Sequence, residues 1–209
     1  MGIYAEKKES SDFAQVEPGT YVARCYSMIE IGTIETEFQG EKKKAHQVNI
    51  TWELPTELAV FKEENGPEPF VVSKTYRLSM HEKATLRKDL ESWRGKGYTE
   101  AEAQRFDITK LLSQPCILSI IHEPSKTDQN KNYVRISSIS KLMKGQECPP
   151  QINKTRLLSF EDWNEDLFKS LPEWIQEKIK SSEEYKMKQE PSMAAHNDDN
   201  DEISDLPFN

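Results

Sequence analysis

The chain has 209 residues, 35% of them hydrophobic, and a formal net charge of -8, which indicates a small acidic protein with enough sequence for one folded domain. No apolar run approaches the roughly 18 residues of a membrane-spanning helix, and residues 1–8 lack the apolar region of a signal peptide. We therefore expect a cytoplasmic protein that does not contact membranes. Three cysteines, Cys25, Cys116 and Cys148, are too widely spaced for a disulfide framework or paired zinc ligands. Cys25 and Cys116 lie in apolar runs and are predicted to be buried thiols.

The charge is unevenly distributed along the chain. Residues 1–69 carry 7 basic and 13 acidic side chains, whereas residues 70–144 carry 14 basic and 8 acidic side chains. The local electric field matters more than the net charge for binding a polyanion. The acidic total therefore does not exclude a nucleic-acid partner for the middle of the chain.

Five strands are predicted from period-two alternation, β-branched and aromatic residues, and flanking Pro or Gly. They occupy residues 20–29, 46–53, 70–78, 116–121 and 132–140. Pro55 is expected to end the second strand, which places His46, Val48, Ile50 and Trp52 on one face. We assign Trp52 to the core.

Helices are predicted from capping residues and amphipathic spacing. Ser79 and Glu82 form a capping-box pattern that opens a helix ending near Trp93, with Gly95 as its stop. We expect Trp93 to pack this helix against the strands. A second helix, residues 100–106, follows Thr99 as its cap. Two further amphipathic helices are predicted at 160–171 and 172–186, held in place by Trp163 and Trp174.

Three strands, a helix and two more strands is the element order of the OB-fold, a five-stranded Greek-key barrel. We therefore predict a mainly β protein containing an OB-fold with a helical insertion between strands three and four. The predicted divisions are a flexible arm (residues 1–16), the barrel (17–148), a helical extension (149–188) and a disordered acidic tail (189–209).

Binding a single strand requires cations along a groove and aromatic faces on which bases stack. The loop between strands one and two and the loop between strands four and five each supply lysines, and strand five places Tyr133 and Arg135 on one outward face. Alternation alone leaves open which face of strand three is solvated. The candidate nucleic-acid-binding residues are Lys42, Lys43, Lys44, Lys74, Tyr76, Arg77, Lys126, Lys131, Tyr133 and Arg135.

The last 21 residues hold six acidic side chains and no lysine or arginine, and they end in an apolar hook, Leu206-Pro207-Phe208. Such a composition predicts disorder and availability for binding. The candidate partner-binding residues are Asp201, Glu202, Ile203, Asp205, Leu206, Pro207 and Phe208.

The tail resembles the C-terminal tip of single-stranded DNA-binding proteins, in which acidic residues precede a final Pro-Phe. Residues 107–122 and 132–136 look like the strand 4–5 hairpin of phage-encoded single-stranded DNA-binding proteins. The resemblance covers about residues 18–144 and the tail. It implies protection of single-stranded DNA during phage DNA replication, recombination or repair in a host cytoplasm, with partner proteins recruited by the tail. Asn209 follows Phe208, so this tail lacks the terminal Phe carboxylate of the bacterial relatives.

Catalytic motifs are missing. His81-Glu82 and His122-Glu123 do not extend to His-Glu-x-x-His, and Gly95-Lys96-Gly97 lacks the rest of a P-loop. We predict no enzyme activity, cofactor or metal. Two other functions stay open: a protein-interaction module, such as an adaptor or inhibitor, and a recombination accessory that anneals strands.

Overall fold

The computed structural model describes residues 15–38, 41–125 and 132–189, and this part of the chain is mainly β. Its strands form one six-stranded sheet in the order β3-β2-β1-β4-β5, with antiparallel neighbours and with β6 pairing in parallel with β1. The strands are β1 (Gly19–Phe38), β2 (Glu41–Val60), β3 (Pro67–Arg77), β4 (Pro115–Pro124), β5 (Asn132–Ser140) and β6 (Arg156–Leu158).

Helices α1 (Thr85–Arg94) and α2 (Glu100–Gln104) lie between β3 and β4 in the chain. Helices α3 (Glu165–Lys169), α4 (Glu173–Ser181) and α5 (Glu183–Gln189) follow β6. Within the described residues, no helix has the length and apolar character needed to cross a bilayer.

Strands β1 and β2 are each 20 residues long, about twice the predicted length. Pro55 does not end β2, so that prediction is wrong. The pairing of β2 with β3 is irregular between Leu54 and Leu58, and Pro55 falls within this irregularity. A proline has no amide hydrogen for the ladder, and a bulge is one of the places where a sheet tolerates it. The bounds of β5 are those predicted from the sequence.

The main core lies on the inner face of the sheet. Trp52 of β2 is 1% exposed, and its ring lies 5.8 Å from the ring of Trp93 on α1, as predicted for both tryptophans. Cys25 and Cys116 are fully buried in the same core, which confirms their assignment. Val16 also belongs to this core, although the sequence placed it in the flexible arm.

The first helix begins later than its capping pattern predicted. α1 starts at Thr85 behind Ala84, whose side chain provides no cap. The Ser79 hydroxyl instead accepts a hydrogen bond from the amide of His81, so the Ser79–Glu82 capping box is wrong. Gly95 ends α1 in the left-handed conformation (φ 71°), as predicted.

The cap of the next helix follows the sequence prediction. Thr99 and Glu102 form a reciprocal capping box at the start of α2.

A second core lies between the outer face of β1 and the C-terminal segment. Ile29 and Ile31 of β1 are buried there against Phe168 and the α4 residues Ile175 and Ile179. The predicted helix at 160–171 is wrong in extent, because only α3 (Glu165–Lys169) is helical within that range. Trp163 lies among the aromatic rings of this core, as expected, but Trp174 is 45% exposed.

Two charged side chains of the sheet, Arg24 of β1 and its register partner Glu53 of β2, hold the segment that leads to β6. The Arg24 guanidinium donates hydrogen bonds to the carbonyl oxygens of Cys148 and Pro149. The carboxylate of Glu53, 0% exposed, accepts hydrogen bonds of 2.7 Å from the amides of Ile152 and Asn153. Burying a charge is costly without such partners, so these bonds fix where the C-terminal segment crosses the sheet.

Candidate nucleic-acid interface

The outer face of β2 and β3 carries a band of polar side chains, here called the polar strip: Gln47, Thr51, Ser73, Thr75 and Arg77. Strand register places Gln47 opposite Arg77 and Thr51 opposite Ser73. Within it, Thr75 accepts a 3.1 Å hydrogen bond from the Asn49 amide nitrogen. The strip offers hydrogen-bonding groups and one guanidinium but no aromatic ring.

The solvated face of β3 is the one that carries Arg77, and the opposite face carries Tyr76. Arg77 is exposed on the polar strip, and it donates a 2.8 Å hydrogen bond to the carbonyl of Lys44. Tyr76 points inward and is 3% exposed.

The prediction that Lys74 and Tyr76 bind nucleic acid is therefore wrong, because both side chains are directed toward α1. The Tyr76 hydroxyl donates a 2.8 Å hydrogen bond to Asp89 of α1, and the Lys74 ammonium lies 2.6 Å from the same carboxylate oxygen. Burial, followed by the neighbouring Asp89 charge, raises the pKa of Tyr76 far above its ordinary value. Both side chains join α1 to the sheet, and the buried Tyr76 ring cannot stack on a base.

Strand β5 turns Tyr133 and Arg135 outward, as the alternation predicted. Tyr133 is 55% exposed, whereas the alternate residues Val134 and Ile136 face the main core. Arg135 forms an ion pair with Glu123 of β4. A half-exposed ring beside an exposed guanidinium can provide a stacking surface and a phosphate contact.

The edge strands β3 and β5 come together around a cavity of about 300 Å³. Its lining includes Phe70 and Val72 of β3, Val134 and Ile136 of β5, and Phe61. Strand β5 therefore lies across this cavity from the strand that carries three of the five polar-strip residues.

The three lysines of the β1–β2 hairpin are each paired with a carboxylate. Lys42 lies 2.8 Å from Glu35, Lys43 lies 2.7 Å from Glu41, and Lys44 pairs with Glu183 of α5. The hydrogen bond to Glu35 raises the pKa of Lys42, and the bond to Glu183 raises that of Lys44, so both stay charged at neutral pH. The sequence did not reveal this compensation.

Such exposed ion pairs are screened by water and contribute little to stability. A phosphate could therefore replace a carboxylate partner at little cost.

The first turn of α5 lies against this hairpin through one cluster. The Glu184 carboxylate accepts 2.6 Å hydrogen bonds from the amide and hydroxyl of Thr33, and it lies 3.2 Å from His46. His46 in turn lies 2.7 Å from Glu30. Gly32 permits this approach: its φ is +90°, and a Cβ there would meet a Glu184 oxygen at 2.6 Å.

The remaining candidates lie outside the described residues. These are the loop lysines Lys126 and Lys131 and all seven candidate partner-binding residues of the tail, which lie between 201 and 208. The described candidates Lys42, Lys43, Lys44 and Arg77 lie on or beside the β1–β2 hairpin, and Tyr133 and Arg135 lie on β5.

No protein-family model, curated protein or solved structure matches this chain.

Proposed function

We propose that the protein binds single-stranded DNA across the polar strip and the outward side chains of β5, and protects it during phage DNA replication, recombination or repair. The observation that carries this proposal is the outward pair Tyr133 and Arg135 on the edge strand nearest β3. An accessible ring beside a guanidinium suits stacking and phosphate contact, and neither reads a base edge. We therefore expect little sequence selectivity.

The sheet order supports an OB-fold as the framework of this site. Closing the sheet between its edge strands β3 and β5, which already line one cavity, would produce a five-stranded barrel. Helices α1 and α2, between β3 and β4, occupy the position of the predicted helical insertion. In an OB-fold, the face of strands two and three and the loops 1–2 and 4–5 bind oligonucleotides.

A second candidate function is a non-catalytic protein-interaction module. The pairing of all three hairpin lysines with carboxylates favours it, because no unpaired cation then remains among the described residues of the β1–β2 hairpin. The apolar residues Leu58, Val60 and Val71 are also about half exposed at the far end of the β2–β3 pair.

Titration of fluorescent oligo-dT and of a duplex of equal length, at two salt concentrations, tests the proposal. We expect preference for the single strand and an affinity that falls with salt, with a slope of about -0.7 per neutralised phosphate. Equal affinity for duplex and single strand would refute single-strand binding. A flat salt dependence would favour the interaction module.

Recruitment of replication or recombination proteins by residues 201–208 is the other half of the proposal. It rests on the acidic residues before an apolar hook, and it is tested separately by partner capture with the intact and hook-substituted chains.

A further inference from the structure

A cavity of about 360 Å³ opens where α1 ends, where β4 begins and where the chain leaves β5. Its lining is mainly apolar with a cationic rim, and includes Trp93, Arg94, Leu111, Pro115, Lys141 and Leu142. This volume lies within the range of about 300–1,000 Å³ that is usual for ligand pockets. None of its lining residues in the described part of the chain carries a carboxylate.

The two cations of this cavity differ in availability. Arg94 donates a 2.8 Å hydrogen bond to Glu102, and its guanidinium lies 4.3 Å from the centre of the Tyr98 ring. Lys141 is exposed and forms no ion pair with any residue the structure describes. The cavity therefore presents an apolar floor with one fixed and one unpaired positive charge.

The apolar hook of the tail, Leu206-Pro207-Phe208, has complementary chemistry. Asp205 directly precedes it, and Asp201 and Glu202 lie a few residues upstream. Hydrophobic side chains could fill the cavity while Asp205 meets Lys141. We propose that this cavity binds the hook of the same chain.

The length of chain beyond α5 allows this contact. Gln189 and Leu206 are separated by 16 residues, which span at most about 60 Å when extended. A domain of this size has a radius of gyration of roughly 15 Å, so the hook can reach the cavity from α5. Tethering of this kind gives an effective concentration in the millimolar range, so even weak docking in cis would be populated.

The cavity is separate from the candidate nucleic-acid interface. The β4–β5 ladder runs from Ile117 paired with Ser140, beside the cavity, to Pro124 paired with Asn132, next to Tyr133. Seven residue steps along a strand correspond to about 23 Å. Substitutions at the cavity should therefore leave DNA binding by Tyr133 and Arg135 unchanged, and docking does not depend on the proposed function.

The test uses the full-length chain with Leu206→Ala and Phe208→Ala, which vacates the cavity, and a peptide of residues 198–209 as the probe. In calorimetry we expect saturable one-to-one binding of this peptide and at least tenfold weaker binding of a scrambled peptide of the same composition. The wild-type chain should also bind the peptide more weakly, because its own hook competes.

The cavity is tested by Lys141→Glu in the hook-substituted chain, with Lys154→Glu as a matched exposed control. We expect the first to weaken peptide binding at least tenfold and the second to change it by less than twofold. Equal effects of the two substitutions, equal binding of the scrambled peptide, or equal binding to the wild-type chain would overturn the proposal. So would a concentration-dependent dimer that Phe208→Ala abolishes, because the occupant would then be a second copy.

Discussion

Tyr133 is the described aromatic residue best placed to stack on a base, because more than half of its side chain is exposed on an outward face. We expect Tyr133→Ala to weaken binding of oligo-dT by about 1–3 kcal/mol, the usual value of one stacking contact. The melting temperature should change little, because little packing is lost. Fluorescence titration and thermal unfolding measure the two effects on the same samples.

The matched control is Tyr76→Phe, which removes a hydroxyl from the core without touching the outer face. Loss of its hydrogen bond to Asp89 should lower the free energy of unfolding by about 1–3 kcal/mol and leave DNA affinity unchanged. A Tyr133→Ala protein that melts much lower but binds DNA normally would show that the Tyr133 ring is structural.

The three cysteines should differ in reactivity. Burial raises the pKa of Cys25 to about 12 and raises that of Cys116 well above 9.0, so neither thiol forms appreciable thiolate at neutral pH. Burial also raises the pKa of Cys148, but its side chain is only half-buried. We expect iodoacetamide at pH 8 to label Cys148 first and the other two only on unfolding. Mass spectrometry over time measures this order, and early labelling of Cys25 would contradict it.

Strand alternation predicted the directions of Tyr133 and Arg135 but could not choose between Tyr76 and Arg77. On β5 the inward residues are aliphatic and the outward ones polar, so only one arrangement buries apolar surface. On β3 each face includes a long cationic side chain. The choice depends on Asp89 of α1, which pairs with Lys74 and Tyr76, and an alternation pattern contains no information about such a distant partner.

At the scale of elements, α5 is held against the β1–β2 hairpin by Glu184. We expect Glu184→Gln to lower the free energy of unfolding by about 1–3 kcal/mol, because an amide has one acceptor oxygen for the two hydrogen bonds from Thr33 and no charge to pair with His46. Hydrogen exchange should rise most in residues 173–189. Glu183→Gln is the matched control, since it removes only an exposed pair with Lys44.

The contribution of Glu184 should also depend on pH. Burial raises its pKa, but hydrogen bonds from Thr33 and the nearby His46 outweigh this effect and lower the pKa below 4.5. A carboxyl with a depressed folded-state pKa stabilises the protein fully above its unfolded pKa and loses this contribution as pH falls through the folded value. The stability difference between wild type and Glu184→Gln should therefore shrink between pH 6 and pH 3 in urea unfolding. An unchanged difference would contradict this role.

The strands were easier to predict than the C-terminal segment. β5 alternates from Tyr133 to Ser137 and has polar flanks, and its bounds follow from local sequence. β6 has three residues, and its pairing with β1 depends on Arg24 and Glu53, neighbours across β1 and β2, which hold the preceding segment at two successive points. These contacts join residues about 100 positions apart, so no local pattern indicates them. The apolar outer face of Ile29 and Ile31 was the sequence feature that could have suggested a second core.

At the scale of the whole molecule, many cationic side chains are paired locally with carboxylates, although the chain carries a net charge of -8. Within the basic middle of the chain, Lys74 pairs with Asp89 and Arg135 pairs with Glu123, and between distant segments the hairpin's Lys44 pairs with Glu183 of α5. A polyanion must therefore compete with the protein's own carboxylates. This competition lowers the affinity for DNA most at low salt, where unscreened attraction is strongest.

The acidic tail adds a further competitor, because its six acidic side chains are tethered to the same domain. Deleting residues 190–209 should raise affinity for oligo-dT at low salt, and the gain should shrink as salt screens the attraction. Leu206→Ala with Phe208→Ala keeps every charge and should show no gain, although it should abolish recruitment of partner proteins. Replacing Asp198, Asp199 and Asp201 by Asn should give part of the gain with the hook intact. The contrary result would be an unchanged affinity at low salt after deletion, together with no partner protein that distinguishes the variants. Neither the charges nor the hook would then act on DNA or on other proteins, and the tail would serve solubility.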